Sequence, residues 1–247
     1  GVREVSHSGA TAGYRAFLAR YPDQRLSVAL LCNAGAVNPS ALGRQVADVF
    51  LGDAARRVAA APRPARVPAE RLAALAGTYR NARTHEPLRL VLREGRLRAE
   101  PGGELVPLSP ALFQIGDGDR RLALEPAGAS GARPRLRATG GDGDTAVYEP
   151  VPDFAPTPAQ LAEYTGEYWS DEVETAFRVE ARDGRLVLLR RPDWRAELTP
   201  VYPDAFTSRT GLVRFLRDSS GQITGLSLSL GRVRDLRFER VAAGISR

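Results

Sequence analysis

The sequence predicts a mainly β chain, in which a short α+β segment precedes two tandem antiparallel β units. Three observations carry this. From about residue 68 onward the chain divides into two copies of one pattern. Each copy is a series of short alternating segments broken by Gly turns. The first fifty residues differ, with strand-like runs followed by one stretch of helical periodicity.

The duplication is read from register. Leu72, Leu75, Gly77 and Tyr79 match Leu161, Tyr164, Gly166 and Tyr168, each pair 89 residues apart, and Leu88, Gly95 and Leu97 continue the same register with Phe177, Gly184 and Leu186. A four-residue insertion then moves the offset to 93, where Glu104-Leu105, Pro107, Pro110 and Phe113 match Glu197-Leu198, Pro200, Pro203 and Phe206. Near the end Tyr148-Glu149 matches Phe238-Glu239 at an offset of 90. A period this long marks duplicated domains rather than a solenoid.

Each copy opens on a short helical turn. In the second, Thr157-Pro158-Ala159-Gln160 has the form of an N-cap, a Pro at the first helical position and a capping-box Gln. Seven or eight short strands follow. Alternation is clear in Phe177, Val179 and Ala181 and in Leu226, Leu228 and Leu230, and turns fall at Glu94-Gly95, Asp183-Gly184 and Ser220-Gly221. Such spacing argues for a small antiparallel barrel or sandwich. Closure is the simplest way for the unit to remove its edges. A barrel of about this size is filled by its own side chains.

The N-terminal segment reads as strands over residues 2–6, 13–21 and 26–32, with Pro22-Asp23 turning between the last two. Asn38-Pro39-Ser40 starts a helix running to about residue 58, with Leu42, Val46, Val49 and Phe50 at helical spacing. Residues 59–67 form a Pro/Ala linker. The predicted division is therefore 1–58, linker 59–67, first β unit 68–152 and second β unit 153–247.

Composition limits the chemistry. With 43% hydrophobic and 26% charged residues the chain is of ordinary globular type. No apolar run approaches the roughly 18–20 residues of a membrane span. All 35 basic residues are Arg, so no Lys base, Schiff base or P-loop Lys exists within these residues. The net charge of +6 raises nucleic acid as a partner. The arginines alternate with apolar residues, however, as in Leu88-Arg89-Leu90, which is the wet face of half-buried strands. No nucleic-acid partner is expected. The single cysteine, Cys32, sits in an apolar run and is expected buried and inert, and His7 and His85 are too far apart in sequence to suggest a His cluster. Asp171-Glu172 with Glu174 falls short of the oxygen set a Ca²⁺ site needs. No metal or cofactor is therefore expected. His85, among polar neighbours before Pro87, is expected as an exposed loop residue, and Tyr168, Trp169 and Trp194 as core or rim aromatics.

One segment suggests chemistry. His7-Ser8-Gly9-Ala10 places a polar tripeptide at a predicted strand end, before a run of small residues that lets a substrate approach the backbone. An N–H presented there can serve as an oxyanion donor. The longer pattern, His7-Ser8-Gly9, then Gly13-Tyr14, then Tyr21-Pro22, then residues 25–33 and a closing helix, resembles the end of the serine β-lactamase-like hydrolases. This group includes class C β-lactamases, penicillin-binding proteins, D-aminopeptidases and related esterases. In the resemblance His7-Ser8-Gly9 stands where the third family motif, Lys-Thr-Gly or His-Thr-Gly, usually stands. Residues 3–52 correspond to the last three sheet strands and the closing helix. The two copies, with Leu75-x-Gly77-x-Tyr79 and Tyr164-x-Gly166-x-Tyr168, Glu94-Gly95-Arg96-Leu97 and Asp183-Gly184-Arg185-Leu186, and Leu-x-Pro in both, resemble the eight-stranded lipocalin-like barrels that follow the catalytic domain in some members.

The resemblance implies a Ser nucleophile assisted by Lys and Tyr, acting on an amide or ester of a small molecule or peptide. It also implies an oxyanion donor at Ala10, substrate contacts from His7 and Ser8, and an N-terminal catalytic domain as the partner of these residues. The sequence departs from the family in one decisive respect. It has no Ser-x-x-Lys, and Tyr79-Arg80-Asn81, the only match to Tyr-x-Asn, opens the first repeat, where Tyr79 is explained by its counterpart Tyr168. These residues are therefore expected to be the C-terminal part of such an enzyme and inactive alone. The insertion within 190–194 is a candidate for a loop reaching the active site. If residues 1–52 are the end of a larger sheet, Leu26, Val28, Leu30, Val46 and Phe50 should be partly exposed or packed on the barrels. The alternative is a non-catalytic barrel module for ligand binding or protein interaction. The family's common setting is periplasmic or secreted, but no residue here fixes the compartment.

Overall fold

The structure, a computed structural model, describes residues 2–52, 64–100, 102–116, 120–125, 133–140 and 144–241. The N-terminal sheet is three antiparallel strands in chain order, β1 (Val5–Thr11), β2 (Tyr14–Tyr21) and β3 (Leu26–Cys32). The first strand lies later than the expected 2–6. Its register is set by the turn at Ala12-Gly13, whose φ values of 41° and 85° are those of a two-residue I′ hairpin. That turn pairs Thr11 with Tyr14 and draws His7–Ala10 into the ladder, so the polar tripeptide lies within a strand rather than ending one. A 3₁₀ turn at Pro22–Gln24, closed by Arg25 in the left-handed region, leads into β3.

Helix α1 (Pro39–Leu51) starts as expected: the Asn38 side chain accepts from the Ala41 N–H at 3.1 Å, and Pro39 takes the first helical position. The predicted continuation over 53–58 and residues 59–63 of the predicted linker lie outside the described residues. Helix α1 covers one sheet face, burying Phe17, Ala19, Tyr21, Val28 and Ala47. Gly43 lies directly over Phe17, and a Cβ there would come within 2.2 Å of the ring.

Four of the five residues expected to be partly exposed are so: Leu26, Leu30 and Val46 are half-buried at the margin of the helix–sheet core and Phe50 is exposed, while Val28 alone is buried in that core. The open apolar surface also carries Val5, Leu18 and Leu31, the last 87% exposed. The cause is strand alternation, which sends these three to the face opposite α1. Cys32, expected to be buried, is only partly so.

The rest of the described chain forms two closed eight-stranded antiparallel barrels. Barrel one runs β4 (Gly77–Asn81), β5 (Pro87–Arg93), β6 (Arg96–Glu100), β7 (Gly103–Ser109), β8 (Leu112–Ile115), β9 (Arg121–Glu125), β10 (Arg135–Thr139) and β11 (Thr145–Pro150), preceded by helix α2 (Ala69–Ala73). Barrel two runs β12 (Gly166–Ser170), β13 (Thr175–Arg182), β14 (Arg185–Arg190), β15 (Trp194–Tyr202), β16 (Ala205–Ser208), β17 (Gly211–Arg217), β18 (Ile223–Leu230) and β19 (Val233–Arg240), preceded by helix α3 (Pro158–Glu163) with its full capping box. Each strand pairs with its chain neighbours. Closure comes from β11 on β4 (Tyr148 opposite Asn81) and from β19 on β12 (Arg240 opposite Tyr168).

The repeated motifs have physical reasons. In Leu-x-Gly-x-Tyr of the first copy and Tyr-x-Gly-x-Tyr of the second, the tyrosine hydroxyl donates to the carbonyl four residues earlier, Tyr79 to Leu75 at 2.9 Å and Tyr168 to Tyr164 at 2.8 Å, which ties the helical turn to the first strand. The glycine leaves room for a guanidinium. Arg133 crosses Gly77 to bond the carbonyls of Ala76 and Thr78, and Arg240 crosses Gly166 to bond that of Thr165 at 2.6 Å. In Leu-x-Pro the proline, which has no N–H to give a ladder, precedes a register shift in both copies, at Pro107 and at Pro200. The interiors hold side chains, with Tyr79, Leu90, Leu97, Phe113, Leu122 and Leu136 buried in barrel one and Tyr168, Leu186, Phe206, Phe215, Leu226 and Phe238 in barrel two.

Candidate functional site

His7, Ser8, Gly9 and Ala10 lie side by side on β1, opposite Leu18, Phe17, Ala16 and Arg15 of β2. All four are exposed. Strand β1 is the edge of its sheet, and among the described residues no strand pairs with its outer side. An edge of this kind presents main-chain N–H and C=O groups in a row. Because the ladder closes on a two-residue turn after Thr11, the antiparallel alternation directs the N–H groups of Ser8 and Ala10 away from β2, toward the free edge.

The start of the strand is fixed by a contact that sequence reading did not find. Glu4 accepts from Arg44 Nε at 3.1 and 3.2 Å, from Arg44 Nη2 at 3.0 Å and from the Tyr21 hydroxyl at 3.0 Å. Burial alone would raise the Glu4 carboxyl, but the hydrogen bonds from Arg44, Ser6 and Tyr21 outweigh it and hold the group below its ordinary value. Burial, reinforced by Glu4, pushes the Tyr21 phenol up to about 12. The pair locks β1 to α1 across 40 residues of sequence, a separation at which no local pattern signals the contact.

A cleft of about 850 Å³ opens between the start of β1 and barrel one, with Glu4, Val5, Ser6, Arg83, Arg120 and Asp144 on its walls. It stops at Ser6, short of His7. The insertion within 190–194 is not an extended loop. It is a hairpin tip in which Arg190 pairs with Trp194, the indole lies on Phe177 at 5.8 Å, and the guanidiniums of Arg190 and Arg209 lie over it at 5.6 and 5.0 Å. Tyr168 is core, while Trp169 is half-buried and donates to Asp171 at 2.6 Å. Among the described residues no group of three His, Cys, Asp or Glu side chains is placed to hold a metal. No helix there is long and apolar enough to cross a membrane. His85, expected exposed, is half-buried at the contact between the barrels, because the turn carrying it packs on barrel two.

The arrangement on β1 can align an extended substrate and give hydrogen bonds to a developing negative charge. It contains no activated nucleophile. No protein-family model matches the chain, and no curated protein matches it.

Proposed function

We propose that residues 2–52 are the closing part of the catalytic sheet of a β-lactamase-like serine hydrolase, and that the two barrels are its lipocalin-like accessory domains. The reaction is acyl transfer from an amide or ester to a serine hydroxyl and then to water. The observation that carries this reading is the position of His7-Ser8-Gly9-Ala10: exposed, on a free strand edge, just before a tight hairpin, with a helix packed behind the sheet.

In this reading the Ala10 N–H is one of two donors to the oxyanion of the tetrahedral intermediate. Ser8 gives a hydrogen bond to substrate, and His7 polarises the site or holds a substrate carboxylate. The nucleophile and its Lys and Tyr assistants come from residues outside this sequence, which contains no Lys. These 247 residues alone are therefore inactive.

The test starts with the reading frame upstream of the Gly1 codon and the mass of the native protein. A frame encoding Ser-x-x-Lys and then Tyr-x-Asn is the expected result, and a start codon immediately upstream overturns the reading. On the full protein, Ala10→Pro removes the donor at an edge position where the ladder does not use it. With a chromogenic ester or β-lactam, kcat should fall by about 10²–10³. Activity within tenfold of wild type would overturn Ala10 as the donor.

A further inference from the structure

Among the described residues three buried side-chain polar atoms lack a hydrogen-bond partner, Ser170 Oγ in barrel two and His85 Nδ1 and Arg80 Nε, the last two near the seam between the barrels. The seam is apolar at its centre, where Tyr202, Ala205 and Leu212 on the outside of barrel two pack with Val151 and Val201. The turn 82–86 of barrel one reaches it. Asn81 shapes that turn: its side-chain oxygen accepts from the N–H of Arg83 and of Thr84, each at 2.9 Å, and its carbonyl accepts from the N–H of His85 at 2.9 Å. His85 is thereby held at φ 63°. The Tyr202 hydroxyl donates to the His85 carbonyl at 2.6 Å, joining the two barrels. Burial pushes this phenol up to about 12, so it remains a donor through the neutral range.

The His85 Nδ1 atom is buried and has no hydrogen-bond partner, and so is Nε of Arg80. The charged groups facing the imidazole are Arg80 from β4, Arg214 from β17, and Asp235 and Arg237 from β19. Arg80 is bound to Glu149 at 3.2 Å, and Asp235 is held by Arg237. The Arg214 guanidinium has neither a hydrogen bond nor an ion pair among the described residues, and burial disfavours its charge. The setting of the imidazole is therefore dry on one side and cationic in balance.

We propose that the seam is a pH-operated joint: neutral His85 allows the barrels to close on one another, and protonation of His85 opens them. A neutral imidazole can carry its proton on Nε2 and leave Nδ1 a bare lone pair. An imidazolium has no such choice. Its second N–H would be buried without an acceptor, on an imidazole already within the field of Arg214 and Arg80. Burial first, then Arg214 and Arg80, hold the His85 pKa below its ordinary 6.5 in the closed seam, against a smaller opposing pull from Asp235. A depressed value fixes the sign. Closure is fully favoured above the open-state value and is lost as pH falls through the closed-state value.

The test uses the full chain at pH 7.5 and pH 5.0. Hydrogen exchange, corrected for intrinsic rate, is followed in peptides covering 82–86 and 200–214, alongside the radius of gyration from small-angle scattering. Wild type should lose protection in both segments and expand in acid, while the barrel-core strands stay protected. His85→Asn accepts the same left-handed backbone and does not titrate, so it should stay closed at both pH values. Acid opening of His85→Asn like that of wild type would assign the effect to the carboxylate pairs and overturn the proposal, as would a wild type that does not open. Should His85→Asn already be open at pH 7.5, an NMR titration of the wild-type imidazole decides. Its midpoint must coincide with the loss of protection, and an imidazole still neutral where the seam opens overturns the proposal.

Discussion

Replacing Tyr168 with Phe removes one oxygen atom from barrel two and nothing else. The ring stays in a site that is 0% exposed, against Phe215 at 5.8 Å. What is lost is the bond to the Tyr164 carbonyl at 2.8 Å, which leaves a buried acceptor at the end of α3 without its donor. A neutral hydrogen bond contributes about 1 kcal/mol net, and a stranded buried partner costs about 1–3 kcal/mol. The expected loss is thus about 2 kcal/mol. For a domain of 60–100 residues each kcal/mol moves the midpoint by roughly 4–8 °C, so the transition of barrel two should fall by roughly 8–16 °C. Tyr79→Phe breaks the equivalent bond to Leu75 and should lower the transition of barrel one to a similar degree. Calorimetry of the full chain with each variant reads both transitions. If each variant stays within about 0.5 kcal/mol of wild type, the range of a neutral surface change, the hydroxyl does not tie helix to barrel and the account given for these two motifs is wrong.

Three further outcomes follow from the same kind of reasoning. Gly43→Ala gains about 1 kcal/mol of helix propensity but drives a Cβ to within 2.2 Å of Phe17, an overpacking cost of about 1–3 kcal/mol; faster hydrogen exchange in β2 should show the loss winning, and slower exchange would mean the ring moves aside freely. Burial pushes the phenols of Tyr79 and Tyr168 up to about 12 against 10 in the unfolded chain, so their contribution to stability is complete below pH 10 and disappears as pH rises through 12; urea midpoints between pH 9 and 11.5 should fall in wild type and fall less in the Tyr79→Phe, Tyr168→Phe double variant. Thr157→Ala removes the N-cap acceptor of α3 and its capping box, costing about 1 kcal/mol, with Thr157→Ser restoring most of the barrel-two transition.

The parts of the fold that sequence made legible are those governed by local pattern. The Thr157 capping box and the helix start at Asn38 each depend on residues within a few positions of one another, the 89-residue register is carried by short motifs that recur, and each appears in the structure. The closed barrels followed from counting strands and asking where their edges go. The first strand lies later than the expected 2–6 because the Ala12-Gly13 turn fixes its register. The candidate site was legible as a motif but not as an environment. Glu4 with Arg44, and His85 with Tyr202, are joined across 40 and 117 residues, and neither contact has a local signature. A histidine between polar residues before a proline is usually a solvated one. Only the packing of its turn on the second barrel buries Nδ1.

The duplication also shows what a barrel of this size must keep and what it may exchange. In barrel two the guanidinium over the glycine comes from the last strand, from Arg240. The matching position in barrel one is Pro150, which has no charge to offer. There the guanidinium comes instead from Arg133, ahead of β10, and lies over the Tyr79 ring at 5.2 Å. Both side chains reach backbone carbonyls beside the glycine, those of Ala76 and Thr78 in one copy and of Thr165 in the other. The Thr78 carbonyl already accepts from the Val151 N–H at 3.0 Å, but those of Ala76 and Thr165 lie before the first strand, outside its ladder, and a buried carbonyl left unsatisfied is costly. The requirement is for a long donor-rich side chain at that point in space, and Arg meets it from either direction because its planar fork can serve two acceptors at once. Glycine at 77 and 166 is what keeps the point open, so the motif residue constrained most tightly by this geometry is the one that contributes no side chain to it.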